Sequence, residues 1–373
     1  MSFRFIHTAD WQIGKPFGTV PGDAGGDLRA QRIRTVRTIA ELASARQMDA
    51  VLVAGDVFDS NDVSDKTIVM TLEALKPFDG SWVLLPGNHD AALAHSVWTR
   101  LREMGLPANV VIADTPVPLD LWGNRAQVLP APLTRRREVL DQTEWFDAVA
   151  TPEGTCRIGL AHGSITGRLP GSTESSNDIA EARAERAGLS YLALGDWHGA
   201  LKIAHRTYYA GTPETDRHKA NESGFVHIVE TGGLHTPERV EAVPTGRYSW
   251  IRREVELLDG TCNEALAALE SIGPDPRLCV VSLCLSGSIS LAERRRLARA
   301  LTQWDARFHH LDVDDAALLD DPTPDDLDAI DTGGFVRLAV DRLKARADNP
   351  ADPDRQAARM ALRLMYLDHL GRS

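Results

Sequence analysis

No run of residues in this 373-residue chain approaches the roughly 20 apolar positions that a membrane-spanning helix needs. Cysteine is scarce: Cys156, Cys262, Cys279 and Cys284 are scattered and form no CxxC pair. That scarcity excludes a zinc ribbon and a disulfide framework. The opening MSFRFIHTAD lacks the apolar core and small-residue cleavage site of a secretory signal. The expectation is a cytoplasmic protein. Basic charge is short as well, since 41 Lys and Arg face 53 Asp and Glu, for a net charge of −12. Such a balance argues against coating DNA through a basic surface. Nucleic acid stays open as a substrate, because a few local cations and bound metals suffice to hold phosphates.

What is present is an ordinary globular composition, 43% hydrophobic and 25% charged, at a length that suits two or three domains. Short apolar strands are predicted at 3–9, 50–56, 81–87, 109–114, 157–163 and 191–196, with closing strands at 208–214 and 224–230. Amphipathic helices are predicted at 27–47 and 64–78. Apolar strands alternating with helices indicate an α/β fold with a mostly buried sheet. The pattern changes near 245. Strands at 249–257, 277–287 and 308–313 alternate with helices at 261–273, with a Thr/Glu capping box, and 290–304, giving a small α+β unit of expected ferredoxin-like arrangement. An acidic linker, 314–326, precedes helices at 333–347 and 354–370, split by prolines. The expected divisions are 1–243, 244–316 and 317–373.

The strand ends carry ligand chemistry. TADWQIG supplies Asp10 and Gln12; GDVFD supplies Asp56 and Asp59. GNHD supplies Asn88, His89 and Asp90; AHG supplies His162; GDWHG supplies Asp196 and His198. Any one of these reads as turn chemistry by itself. In open α/β sheets, however, the functional crevice lies beyond the carboxyl ends of the strands. Five such segments on one rim point to a metal site. Trp11 and Trp197 flank the ligands, either packed in the core or walling the site and stacking on a base. Arg135, Arg136 and Arg137 follow the strand-like LPAPL and read as a solvated face or as phosphate contacts. The run ERRRLAR at 293–299 offers the same two readings. His7 reads as a buried structural residue.

The order D-x-Q, GD, GNHD, a lone His and GD-x-H resembles the calcineurin-like metallophosphoesterases over about residues 3–230. That resemblance implies a four-layer α/β/β/α sandwich and two divalent metal ions, manganese foremost, with iron or magnesium as alternatives. By the same resemblance Asp10, Gln12, Asp56 and His198 hold one metal, and Asp56, Asn88, His162 and Asp196 the other. His89 stabilises the phosphate or protonates the leaving oxygen, and Asp59 orients His89. Gln12 and Asp196 stand where the family usually has His, so the first metal is expected to be held more loosely. The downstream architecture resembles bacterial DNA repair exonucleases of the SbcD and YhaO type. This implies a DNA substrate, docking of the terminal helices on an SMC-like coiled-coil ATPase through stripes at Phe335, Leu338 and Ala339 and at Ala358, Leu362 and Met365, and a homodimer. Rival readings are a phosphoesterase of nucleotides, small phosphodiesters or phosphoproteins, and a non-catalytic adaptor for such an ATPase.

Overall fold

Side chains of strand β1 (Phe3–Thr8) alternate between two cores. Phe3 and Phe5 enter one and Ile6 the other. Strand β2 (Ala50–Val53) repeats this, with Ala50 and Leu52 on one side and Val51 and Val53 on the other. Such alternation is what a strand buried on both faces requires. These observations come from a computed structural model that describes residues 2–372 apart from 121, 166, 170–176, 233–237, 274, 323–326 and 329–333. The chain divides into two compact units, Met1–Ser249 and Trp250–Ser373.

In the first unit, β1 and β2 join β3 (Ser81–Leu84) and β4 (Val110–Ile112) in parallel. Strands β10 (Phe225–Thr231) and β11 (Arg239–Pro244) extend the other edge antiparallel, giving the order β11-β10-β1-β2-β3-β4. A second sheet has the order β5-β6-β7-β9-β8, from β5 (Ala126–Ala131), β6 (Cys156–His162), β7 (Tyr191–Gly195), β8 (Leu201–Ala204) and β9 (Thr207–Tyr209). All but β8 run parallel there. One core lies between the sheets, where Phe5, Leu52 and Val83 share a cluster with Ile158, Leu160 and Tyr191. Another lies under helices α1 (Gly22–Ala45), α2 (Asp65–Leu75) and α3 (Val97–Glu103). A third covers the far face of the second sheet, where Leu192 and Leu194 pack with Ala184 of α4 (Arg183–Arg186). The layers are therefore α/β/β/α. His7 ties the sheets together, its ring nitrogens 3.1 Å from the Tyr191 hydroxyl and 3.2 Å from the Leu194 carbonyl.

The second unit holds β12 (Ser249–Gly260), α5 (Asn263–Glu270), β13 (Cys279–Ile289), α6 (Leu291–Asp305) and β14 (His310–Asp320). The three strands lie in the order β12-β13-β14, with β13 and β14 parallel. Among the described residues this is a three-stranded βαβαβ unit, not a ferredoxin-like sheet. Strand β14 continues through the acidic stretch read as linker from 314, because Leu318 is buried in the unit's core. Ser290 caps α6 by accepting from the Glu293 N–H, as expected. At α5 the cap position falls on Cys262, which makes no side-chain cap, and the Thr261 hydroxyl accepts from the Asn263 N–H at 3.5 Å. Helices α7 (Gly334–Asp348) and α8 (Arg355–Arg372) pack on each other through Val340, Ala347, Ala358 and Leu362. The second stripe expected to dock on a partner is thereby corrected, since Ala358, Leu362 and Met365 pack within the pair; of the first, Phe335 and Leu338 are 83% and 61% exposed.

Candidate metal centre

The carboxyl ends of five parallel strands bring the expected residues together. Asp10 and Gln12 leave β1, Asp56 leaves β2, and Asn88 and His89 leave β3. His162 ends β6, and Asp196 and His198 follow β7. The backbone makes unusual turns to do this. Asp10, Gln12, Asp56 and Asp196 all adopt positive φ, at 54°, 42°, 53° and 101°. Each such non-glycine residue costs on the order of 1–3 kcal/mol and persists where surrounding structure enforces it. Here the enforcement is visible. The Asp10 N–H donates to the Gly55 carbonyl at 3.0 Å and the Gln12 N–H to the Asp56 carbonyl at 2.8 Å. The Asp196 N–H lies 3.2 Å from Asp10 Oδ1. Close approach demands glycine at 87, where a Cβ would sit 2.3 Å from Asp56 Oδ1.

Asp10, Asp56 and His162 place ligand atoms within 4.8 Å of one another, all buried. Two carboxylate charges at that separation repel by about 3.5 kcal/mol at an effective dielectric near 20. Burial, with the Asp56 and Asp196 charges adding to it against the pull of His198 and His162, pushes the Asp10 carboxyl up to about 6. His162 donates through Nδ1 to the Ala54 carbonyl at 2.8 Å, which directs its Nε2 lone pair inward. Facing that nitrogen are Asn88 Oδ1 at 3.0 Å, Asp56 Oδ1 at 3.5 Å and Asp196 Oδ1 at 3.9 Å. Four acceptors around one point need a positive charge among them. Burial opposes protonation of His162, yet Asp56, Asp10 and Asp196 outweigh it and raise the imidazole to about 9. The donor set, mixed oxygen and nitrogen, fits a divalent transition-metal ion in that place.

The other half is built less simply. Asp216 Oδ2 lies 3.2 Å from His198 Nδ1, so that Nε2 is the ring nitrogen on the inward side. Burial works against the Asp216 charge, but its bond to His198 and the charges of His198, Arg32 and Arg217 hold the carboxyl far below the ordinary range. Arg217 Nη2 sits 2.8 Å from the same imidazole nitrogen, and its Nε pairs with Asp216 at 2.9 Å. Gln12 departs from the expected ligand geometry. Its Oε1 accepts from Lys15 Nζ at 3.2 Å, so its NH2, which has no lone pair to offer, faces Asp56 Oδ2 at 3.5 Å and His198 Nε2 at 3.2 Å. Ligation through Gln12 takes an amide flip that gives up the lysine.

His89 stands over the mouth, its Nε2 4.0 Å from Asp56 Oδ2. Its Nδ1 lies 2.9 Å from the Asp59 main-chain carbonyl. Asp59 thus meets His89 through its backbone, and not through the carboxylate that the motif suggested. Trp11 is corrected as a substrate contact: it is 1% exposed, its Nε1 donates to Thr8 Oγ1 at 2.9 Å, and it packs edge-on against Trp82. Trp197 is half-buried, with Lys219 Nζ 4.3 Å from its ring centroid. Arg135, Arg136 and Arg137 lie exposed in a loop beyond β5.

Sequence reasoning passed over several supporting residues. Arg32 is buried and donates to the Trp11, Asp10 and Glu214 carbonyls and to Thr212 Oγ1, clamping the segment that carries Asp10. A charged residue in the apolar stripe Leu28, Arg32, Val36 and Ile39 was the available signal. Asp216 and Arg217 follow β9, another parallel strand, so the same strand-end rule reaches them. Ser164, two residues after His162, donates to Asp196 Oδ2 at 2.6 Å. Asp90 accepts the Phe58 and Gly87 N–H groups at 3.0 and 2.7 Å, joining the two loops that carry Asp56 and Asn88.

Known proteins resemble this chain in sequence. The chain is 31% identical over 287 residues to the SbcD subunit of nuclease SbcCD from Rhodobacter capsulatus, covering 64% of this chain and 68% of the relative. It is 23% identical to the DNA double-strand break repair protein Mre11 of Methanosarcina acetivorans, over 76% of this chain and 46% of that one. It is 25% identical to the uncharacterized metallophosphoesterase YhaO of Bacillus subtilis, over 61% and 58%. It therefore spans less than two thirds of the last two. The profile of the calcineurin-like phosphoesterases matches residues 3–200, the stretch that supplies every strand end of the cluster, and the chain belongs to that family of hydrolytic enzymes.

Proposed function

We propose that this enzyme hydrolyses phosphodiester bonds of DNA, as an exonuclease in repair or processing, with manganese the best suited metal. The observation that carries the reading is the convergence of Asp10, Asp56, His162 and Asp196 with inward-facing imidazole nitrogens. The nuclease relatives give it a direction. Asp56, Asn88, His162 and Asp196 would hold one ion; Asp10, Asp56 and His198, with Gln12 a weak fourth, would hold the other. Two such ions neutralise the phosphate oxygens and acidify a water when bound. Ser164 and Asp216 keep Asp196 and His198 in orientation. As a water oxygen bonds to phosphorus and the P–O bond to the sugar breaks, His89, its Nδ1 2.9 Å from the Asp59 carbonyl, would give a proton from Nε2 to the departing sugar oxygen while the water's proton passes to solvent. The exposed Phe335 and Leu338 of α7 suit docking on an SMC-like ATPase partner, which would supply DNA affinity that a net charge of −12 works against.

The test is digestion of end-labelled linear duplex and single-stranded DNA with manganese, magnesium or chelator, beside His89→Ala. Manganese-dependent cleavage that vanishes in the variant is the expected result. DNA surviving in every metal with folded protein overturns the reading. The acidic net charge favours a second reading, hydrolysis of small phosphodiesters, and turnover of an aryl phosphodiester without DNA cleavage would select it.

A further inference from the structure

The loop after β5 has a composition that core packing does not explain. Arg135, Arg136 and Arg137 are exposed and make no ion pair among the described residues. Immediately after them Val139 is 97% exposed and Leu140 71%. Adjacent aliphatic side chains left in water on an arginine-rich loop indicate a surface meant to be covered. The loop is tied down on both sides. At its start, the Leu133 N–H donates to the Pro86 carbonyl at 3.3 Å and the Ala92 N–H to the Leu133 carbonyl at 2.8 Å. Those bonds join it to the segment carrying Asn88 and His89. Further on, the Glu138 N–H donates to Asn177 Oδ1 at 2.6 Å and Asn177 Nδ2 to the Arg136 carbonyl at 3.3 Å. The Asn177 carbonyl accepts from the Ser164 N–H at 3.2 Å, two residues from His162. Leu140 and His162 line one small cavity. The exposed tip is thus fixed beside the metal centre.

We propose that this loop is a wedge for the end of a nucleic-acid duplex: the three arginines grip backbone phosphates while Val139 and Leu140 press against the terminal base pair and unstack it. The inference rests on the reading of the centre as a DNA phosphodiesterase and adds how a strand reaches it. Local charge carries the choice of occupant, since three cations without an ion pair among the described residues stand together on a chain of net charge −12. Arginines set on phosphates fix register, and aliphatic side chains inserted at a base step separate it. An opened end gives the centre one strand in place of two.

The experiment uses a blunt duplex with 2-aminopurine in its terminal pair and full-length protein carrying His89→Ala, so that the DNA stays intact. Binding is expected to raise the 2-aminopurine fluorescence. Val139→Ser with Leu140→Ser should abolish that rise without shifting the melting temperature, because both side chains are solvent-facing. Replacing the three arginines by alanine should lower the salt slope of binding by about 0.9 for each phosphate no longer neutralised, while the fluorescence rise returns at saturating protein. A rise of equal size with and without the aliphatic pair overturns the wedge. Binding to phosphatidylserine vesicles in preference to DNA also overturns it and assigns the loop to a lipid surface. Failure of the enzyme with His89 intact to cleave DNA sinks the nuclease reading and the wedge together. Normal cleavage and binding with an inert aliphatic pair sinks the wedge alone.

Discussion

Gly87 gives the sharpest single perturbation. A Cβ at this position would lie 2.3 Å from Asp56 Oδ1 and 2.4 Å from the Asp56 nitrogen. Favourable heavy-atom contact begins near roughly 3.5 Å, so about 1 Å of movement must be found. The Asp56 nitrogen cannot supply it easily, because Asp56 is held at φ 53° and its carbonyl accepts from the Gln12 N–H. Nor can the loop recede freely, since the Gly87 N–H is bound to Asp90 Oδ1 at 2.7 Å. Overpacking of this kind costs about 1–3 kcal/mol. Displacement of a ligand's support costs about 10–100-fold in metal affinity. Gly87→Ala is therefore expected to weaken manganese binding by that factor in isothermal titration, with circular dichroism unchanged. Gly18→Ala serves as control, for nothing lies within 4 Å of its added carbon. Manganese binding by Gly87→Ala as tight as that of the control would refute the reasoning.

Other perturbations probe the supports. Arg32→Met strips the donor from three buried carbonyls and Thr212, and at about 1–3 kcal/mol for each unmet group a loss of about 3 kcal/mol or more is expected in urea unfolding; a loss under about 1 kcal/mol contradicts the clamp. Gln12→His restores an inward lone pair, and should tighten the weaker metal equivalent by about tenfold or more in titration; identical isotherms would show that position 12 does not face an ion. His227 is pushed by burial from 6.5 down to about 4. The unfolded chain takes up this proton first, so stability rises with pH across that window and about 3 kcal/mol is lost as acid is added from 6.5 to 4. His227→Phe should remove most of that loss relative to the unsubstituted protein in paired urea titrations at pH 7 and pH 4.5; equal acid losses in both would place the sensitivity elsewhere.

The candidate centre was legible because its residues sit where apolar strands stop. GDVFD and GNHD each follow a run of buried aliphatic residues, and parallel pairing of β1, β2 and β3 puts all three ends on one rim. Strands β8 and β11 were missed for the converse reason: Arg239–Pro244 is an edge strand, mostly exposed, with no continuous apolar run to mark it. Residues that act through others left weaker marks. Asp59 carries a conspicuous carboxylate, yet its main chain does the work on His89, and a backbone carbonyl has no signature in sequence. Gln12 was read by position in a motif, while its hydrogen bond to Lys15, three residues on, decides which end of the amide faces inward. Phe335 and Leu338 have helical spacing, but spacing alone does not say which stripe of α7 meets α8.

The most direct measurement strips the protein with a chelator and follows hydrolysis of bis(p-nitrophenyl) phosphate before and after manganese is returned, beside Asp56→Asn. The account predicts no turnover in the stripped protein, recovery on adding manganese, and none at any manganese concentration for Asp56→Asn, since Asp56 Oδ1 and Oδ2 face both halves of the centre. Turnover that persists in chelator, or survives intact in Asp56→Asn, would contradict it.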